Sequence, residues 1–165
     1  GGGVAAVAAS KANVDEILKS MTIQTIGYDK LNMLRHVRFF KDLDGLKEHM
    51  RRHAQILRPK FEAVLKVLNE ELGGLGIAKW TEPKGGYFIS FEAMEGCAKE
   101  IVAKCKEAGV VLTGAGATFP YGIDPKDSNI RLAPTFPTPE ELAAAADLFV
   151  LCVKLVSVEK LLSAY

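Results

Sequence analysis

The stretch Asn129-Ile130-Arg131-Leu132-Ala133 predicts a short β-strand and holds the most informative residue of the chain. Side chains alternate across a strand, so Ile130 and Leu132 point to one face and Arg131 points to the other. A guanidinium between apolar neighbours, beside a loop of Gly, Pro and Asp, requires a bidentate partner such as a carboxylate or a phosphate. Two partners stay open at this point: a bound ligand, or one of the chain's own acidic side chains.

The residues around this strand predict a mixed domain of short strands and helices. We expect strands at residues 77–81, 87–91 and 110–112, and a helix at about residues 96–108. The run Thr138-Pro139-Glu140-Glu141 is typical of a helix start, with Thr138 as N-cap, proline in the first turn and acids near the positive end of the dipole. That last helix is expected to run toward Leu162.

The first 75 or so residues are predicted to be helical. Helices are expected at residues 4–20 and 31–40, with a break at Gly27. Asp42 and Asp44 then offer a cap and a first-turn acid to a long helix that reaches Leu72. Pro59 in its middle lacks an N–H, so we expect the helix to bend or to be interrupted there. Together the two halves predict the α+β class.

Composition and charge exclude several classes of protein. The 165 residues are 48% hydrophobic and 25% charged, with a net charge of +1, as in a soluble globular domain. We therefore expect no nucleic-acid partner and no membrane partner. The three cysteines form no CxxC pair and indicate a reducing, cytoplasmic location. The chain opens with three glycines, which suggests a piece of a longer protein or a tag remnant.

Four other patterns favour ordinary structural roles. His49 and His53 are spaced to share a metal, but two arginines lie between them and no third ligand is apparent, so we predict no metal site. A basic patch for nucleic acid or acidic lipid shares its helix with acidic side chains, so we predict an ordinary salt-bridged surface there. The glycines of residues 114–116 lack the full dinucleotide-binding motif and indicate a tight loop. No Ser-His-Asp or Cys-His arrangement is apparent. The candidate patch contains Arg51, Arg52, Arg58 and Lys60.

Three motifs in order carry a family resemblance. They are Pro83-Lys84-Gly85-Gly86-Tyr87-Phe88, then Gly109-Val110-Val111-Leu112 leading into residues 114–119, and then Asn129-Ile130-Arg131-Leu132. Their order and spacing resemble the C-terminal part of fold-type I, pyridoxal-phosphate-dependent aminotransferases. Residues 26–32 and 116–122 are similar to stretches of the bacterial aspartate aminotransferase-like subgroup. The resemblance covers essentially the whole chain.

The resemblance implies a role for one residue and a division of the chain. The strand arginine of this family binds the substrate α-carboxylate, and Arg131 is at the matching position. Residues 1–40 would be a helical remnant of the large cofactor domain, residues 41–75 the long linking helix, and residues 76–165 the small C-terminal domain. The full-length protein would be a homodimer acting on an amino acid and a 2-oxo acid.

The resemblance also implies what this chain does not contain. The lysine that forms a Schiff base with pyridoxal 5'-phosphate would lie a few residues before Gly1, so we expect the chain alone to be inactive. No catalytic residue and no cofactor ligand is assigned within it. Two alternatives stay open: an aminotransferase-like module that senses an amino acid without catalysis, and a purely structural fragment. The substrate amino acid is not specified by these residues.

Overall fold

A computed structural model describes residues 2–163 and shows an α+β fold, as predicted. A three-stranded antiparallel sheet accompanies five α-helices in this part of the chain. The elements are α1 (Lys11–Gln24), α2 (Lys30–Phe40), α3 (Leu43–Leu72), β1 (Ala78–Trp80), β2 (Ile89–Ala93), α4 (Ala98–Glu107), β3 (Asn129–Leu132) and α5 (Pro139–Leu162). A single 3-10 turn, Pro120–Gly122, lies in the loop between α4 and β3.

The chain forms two compact units that meet within α3, between His53 and Ala54. The first unit contains α1, α2 and the beginning of α3. The second contains the rest of α3, the sheet, α4 and α5. The second unit holds the main apolar core, in which Leu68, Ile101 and Val153 are fully buried.

Side-chain caps set where the first helices begin. The Ser10 hydroxyl accepts a hydrogen bond from the N–H of Asn13 at 3.3 Å, so α1 begins at Lys11. The expectation of helix from residue 4 is wrong, because the Ala-rich run before Ser10 is too short to be helical by propensity alone. The predicted cap at Asp42 is confirmed, since its carboxylate accepts from the Gly45 N–H at 2.8 Å.

Helix α3 continues through Pro59, so the interruption that was one of the two expected outcomes does not occur, and the bend stays a prediction. A proline removes one backbone hydrogen bond from a helix, which neighbouring turns can compensate when they are held by packing. Phe61, Val64 and Leu68 follow at helical spacing and are buried in the core of the second unit. This packing keeps the second half of α3 in place.

The sheet has the order β1-β2-β3, with both pairs antiparallel. In the register of β2 and β3, Phe91 lies opposite Ile130 and Ser90 opposite Arg131. Ile130 is fully buried and Leu132 nearly so, whereas Arg131 is only partly buried, which confirms the predicted alternation. Strand β3 is therefore an edge strand that carries Arg131 on the face away from the core.

The strand expected at residues 110–112 is wrong. Within the described residues, these three form no ladder with any strand of the sheet, and Val111 is 80% exposed. A short β-branched run becomes a strand only when a neighbour pairs with it, and here none does.

The predicted start of α5 is confirmed: Thr138 and Glu141 form a reciprocal capping box, with Pro139 at the first helical position.

Candidate functional site

Arg131 lies on β3 with its guanidinium held by one aromatic ring and one hydroxyl. The guanidinium carbon lies 4.3 Å from the centre of the Phe88 ring, a cation–π contact that orients the guanidinium plane. Its Nη2 donates a long hydrogen bond of 3.5 Å to Thr113 Oγ1. Its Nε is buried and has no hydrogen-bond partner within the described residues.

No carboxylate neutralises this guanidinium within residues 2–163. Every ion pair found there, at N···O distances up to 4.0 Å, involves other side chains. A buried donor without a partner typically costs about 1–3 kcal/mol, and a charged one costs more. The arrangement can therefore accept a planar anion with two oxygens, such as a carboxylate.

A partly buried polar network centred on Asn129 lies beside Arg131 and joins the two paired strands to the loop before β3. Asn129, which is 3% exposed, accepts a hydrogen bond of 2.5 Å from Thr118 Oγ1. Its amide nitrogen donates to Ser90 Oγ at 2.9 Å and to Glu92 Oε1 at 2.6 Å. These bonds join the long loop before β3 to strand β2 and fix the beginning of β3.

The carboxylate of Asp124 organises the turn that leads into β3. It accepts backbone hydrogen bonds from Lys126 at 2.9 Å and from Ser128 and Asn129 at 2.8 Å each. Burial acts to raise the pKa of Asp124, but the backbone N–H groups, with that of Asn129 first, outweigh it and lower the pKa below its ordinary value. Asp124 is thus a charged acceptor that closes this turn.

Gly116 allows the loop between α4 and β3 to close on itself. Its φ is +79°, and a Cβ added there would lie 2.6 Å from the carbonyl oxygen of Gly122. The predicted tight loop, with positive φ or a close backbone approach, is confirmed at this glycine by both criteria. Thr113, the residue whose hydroxyl contacts Arg131, lies three residues earlier in the same loop.

Lys60, on α3, binds the segment that follows β3. Its Nζ donates to the carbonyl oxygens of Thr135 at 2.9 Å and Pro137 at 2.7 Å, and lies 3.5 Å from that of Phe136. Lys60 belongs to the candidate basic patch, and its ammonium is therefore already bound to the chain's own carbonyl oxygens. In the first unit, Arg51 and Arg52 both pair with Glu48, which agrees with a salt-bridged surface.

The remaining candidates show no reactive arrangement. The rings of His49 and His53 lie 4.3 Å apart between centres, and among residues 2–163 no group of three or more His, Cys, Asp or Glu side chains could hold a metal ion. Burial, with a contribution from Cys152, raises the pKa of the Cys105 thiol to about 12, so it is protonated at neutral pH. No helix among the described residues is long and apolar enough to cross a membrane.

Sequence reasoning singled out Arg131 but missed its contacts with Phe88 and Thr113. It also missed Lys60 as the residue that binds the segment after β3. Phe88 and Thr113 lie in or beside the motifs that carried the resemblance, so their positions were a usable signal. Their contacts with Arg131 could not be predicted, because these contacts depend on the register of β2 with β3 and on the path of the loop between α4 and β3. Lys60 gave no sequence signal beyond its charge.

The comparison with known proteins identifies the family. The whole chain, residues 1–165, matches the family described as aspartate amino-transferase. The chain belongs to the aspartate aminotransferase family.

Two similar proteins come from bacteria. A protein of Mycolicibacterium smegmatis, provisionally named an aminotransferase, is 46% identical over 162 residues, which are 98% of this chain and 38% of the relative. The crystal structure of an aspartate transaminase from Corynebacterium glutamicum is 43% identical, with a TM-score of 0.83 over 92% of this chain and 36% of that one. The chain thus spans less than two fifths of these family members.

A more distant structure shares the fold. LysN, an α-aminoadipate aminotransferase from Thermus thermophilus, has a TM-score of 0.70 and 21% identity over 90% of this chain and 37% of its own. That structure was solved in complex with N-(5'-phosphopyridoxyl)-L-leucine. At this identity, the likeness concerns the fold of the aminotransferase segment alone.

Proposed function

We propose that this chain is the C-terminal segment of a pyridoxal-phosphate-dependent aminotransferase, which transfers an amino group between an amino acid and a 2-oxo acid. Membership of the aspartate aminotransferase family supports this reaction class. The observation that carries the proposal is the Arg131 guanidinium, which has no carboxylate partner within the described residues and whose Nε is buried and unbonded. Arg131 is the proposed site of the substrate α-carboxylate.

Arg131 has the chemistry that this role requires. A guanidinium presents two parallel N–H groups to the two oxygens of a carboxylate, which orients the substrate as well as binding it. The ring of Phe88 lies 4.3 Å from the guanidinium carbon and limits rotation of the plane. Thr113 adds a long hydrogen bond at Nη2, and the other nitrogen atoms of the guanidinium donate no hydrogen bond within the described residues.

The residues present fit the substrate side of a pyridoxal-phosphate site. The guanidinium of Arg131, which no carboxylate neutralises within residues 2–163, suits the carboxylate that the amino acid and the 2-oxo acid share. When bound, the cofactor supplies an electron sink for the bonds of the substrate α-carbon. We assign no residue of this chain to its phosphate, to its ring or to its covalent attachment, and we propose that the attachment lysine lies outside residues 1–165.

Substitution of Arg131 in the full-length protein tests the proposed carboxylate site. Arg131→Lys keeps the charge but loses the two-pronged geometry, so we expect a loss of about 1.5–3 kcal/mol, or roughly ten- to a hundredfold in kcat/KM. Arg131→Ala should cost more, because the carboxylate then enters a partly desolvated site without a counter-charge. Mono- and dicarboxylic amino acids should be affected alike, since both carry the α-carboxylate.

Steady-state kinetics and a pyridoxal-phosphate titration distinguish the outcomes. Unchanged kcat/KM in Arg131→Ala contradicts the proposed role, and loss of cofactor affinity shows that Arg131 serves a different ligand. Amino-acid binding without any turnover by the unmodified full-length protein would instead identify a sensor.

The absence of an assigned attachment lysine leads to a prediction for the isolated chain. We expect no turnover and no stoichiometric labelling when the chain is mixed with pyridoxal phosphate and then reduced with borohydride. Peptide mapping of the reduced product is the measurement. Scattered, substoichiometric modification of surface lysines is compatible with the proposal. Complete labelling at one particular lysine contradicts the proposal, because it would place the attachment site within this chain.

A further inference from the structure

The segment between β3 and α5 is held by one side chain, that of Lys60. Its ammonium donates to the carbonyls of Thr135 at 2.9 Å and Pro137 at 2.7 Å and lies 3.5 Å from that of Phe136. Thr135 is four residues beyond Arg131 in the chain. We propose that Lys60 is a positioning residue that fixes the end of β3 and thereby the guanidinium of Arg131, an inference that rests on the proposed role of Arg131.

The segment makes few other hydrogen bonds. Pro134 and Pro137 have no N–H to donate, and within residues 2–163 no hydrogen bond reaches residues 134–137 except those from Lys60. Pro134 is buried, but Phe136 at the centre of the segment is 95% exposed, so burial anchors only its first residue firmly. Among the described residues, strand β3 pairs with β2 alone, because it is one of the two edge strands of the sheet. The end of the strand therefore depends on the connection that follows it.

Lys60 is well placed to supply that anchor. It lies on α3 next to Phe61, and the following apolar positions, Val64 and Leu68, pack in the core of the same unit. An ammonium has three N–H donors and no acceptor, which matches three converging carbonyl oxygens. Charge-assisted hydrogen bonds of 2.7–2.9 Å are among the stronger kinds. Through them, the rigid helix holds the chain that leaves the arginine strand.

A binding site tolerates only small displacements of the group that orients its ligand. If the segment after β3 is released, the guanidinium loses its fixed position relative to the substrate, although its charge stays. We expect Lys60→Met in the full-length protein to raise KM for both the amino acid and the 2-oxo acid about tenfold, with a smaller change in kcat. Lys60→Arg, which keeps several N–H donors, should restore KM to within about threefold of the unmodified protein.

The matched control is Lys154→Met. Lys154 also makes a cross-element contact, with Glu71 at 2.6 Å, but that contact lies between α5 and α3 and does not involve the β3 segment. Its KM values should equal those of the unmodified protein. Thermal unfolding of all variants separates a change of binding from a loss of folded protein. If Lys60→Met does not fold, Lys60→Gln, which keeps one amide donor group and loses the charge, takes its place in the same assay.

A double variant tests whether Lys60 acts through Arg131. If it does, Lys60→Met and Arg131→Lys together raise KM by clearly less than the product of their separate effects. Multiplying effects, or an unchanged KM in the folded Lys60 variant while Arg131→Ala is impaired, overturn the inference and leave the proposed function standing. An unchanged kcat/KM in Arg131→Ala overturns the proposed function, and the inference with it.

Discussion

Gly116 shows how one residue shapes the loop beside the candidate site. Its φ of +79° is unfavourable for any residue with a Cβ, and that atom would lie 2.6 Å from the Gly122 carbonyl oxygen. We expect Gly116→Ala to lower the free energy of unfolding by about 2–3 kcal/mol, from the backbone conformation and the clash together. Chemical denaturation monitored by circular dichroism measures the change.

Gly114 provides a control two residues earlier in the same loop. An added Cβ at Gly114 meets nothing within 4 Å, and its φ is not positive. Gly114→Ala should therefore be neutral or slightly stabilising, because it only restricts the unfolded chain. An equal decrease in the free energy of unfolding in both variants would mean that the close approach of Gly116 to Gly122 does not stabilise the loop.

At the scale of an element, hydrogen bonds to one carboxylate order the end of the loop between α4 and β3. Asp124 accepts three backbone N–H groups, two of them from Ser128 and Asn129 at the start of β3. The loop in turn supplies Thr113 to the guanidinium of Arg131. Loss of the Asp124 carboxylate should therefore also disturb strand β3, which carries Arg131.

The lowered pKa of Asp124 predicts a pH dependence of stability. A carboxylate whose folded pKa is below its unfolded value stabilises the fold above the unfolded value, and this contribution is lost as pH falls through the folded pKa. Asp124→Asn should therefore lower Tm more at pH 6 than at pH 3. Thermal melts of both proteins at the two pH values provide the test. A penalty that is the same at both, or larger at pH 3, would show that the charge of Asp124 is not what closes the turn.

At the scale of the whole molecule, the chain exposes much apolar surface. In the first unit, Ile23, Leu31, Val37 and Phe39 are between 63% and 86% exposed. We expect other parts of the full-length protein to cover such surface around residues 4–20 and 31–40. Exposed apolar surface of this extent favours association in water.

We therefore expect the isolated chain to self-associate. Sedimentation velocity over a range of concentrations should show species larger than the monomer, and Phe39→Glu should shift the distribution toward monomer. Val111→Glu, which changes an 80% exposed residue of the second unit, is the control and should have little effect. A clean monomer at high concentration would contradict this expectation.

Three expectations about the full-length protein stay predictions. They are the homodimer, the cytoplasmic location and the division of the chain at residues 40 and 75.

Local sequence rules by themselves determined much of this protein. The alternation around Arg131, the capping box at Thr138, the cap at Asp42 and the tight loop at Gly116 all follow from interactions within a few residues, and the structure has each of them. The α+β class and the family resemblance followed from the order of such short patterns.

Only the tertiary structure decided the rest, because it depends on contacts between residues far apart in the chain. Residues 110–112 have strand-like composition but no strand to pair with, and Pro59 is accommodated because later turns of α3 are buried. The hydroxyl that contacts Arg131 comes from 18 residues away, and the Lys60 contact to Thr135 spans 75. Register, loop path and packing bring these groups together, and none of the three can be read from local propensity.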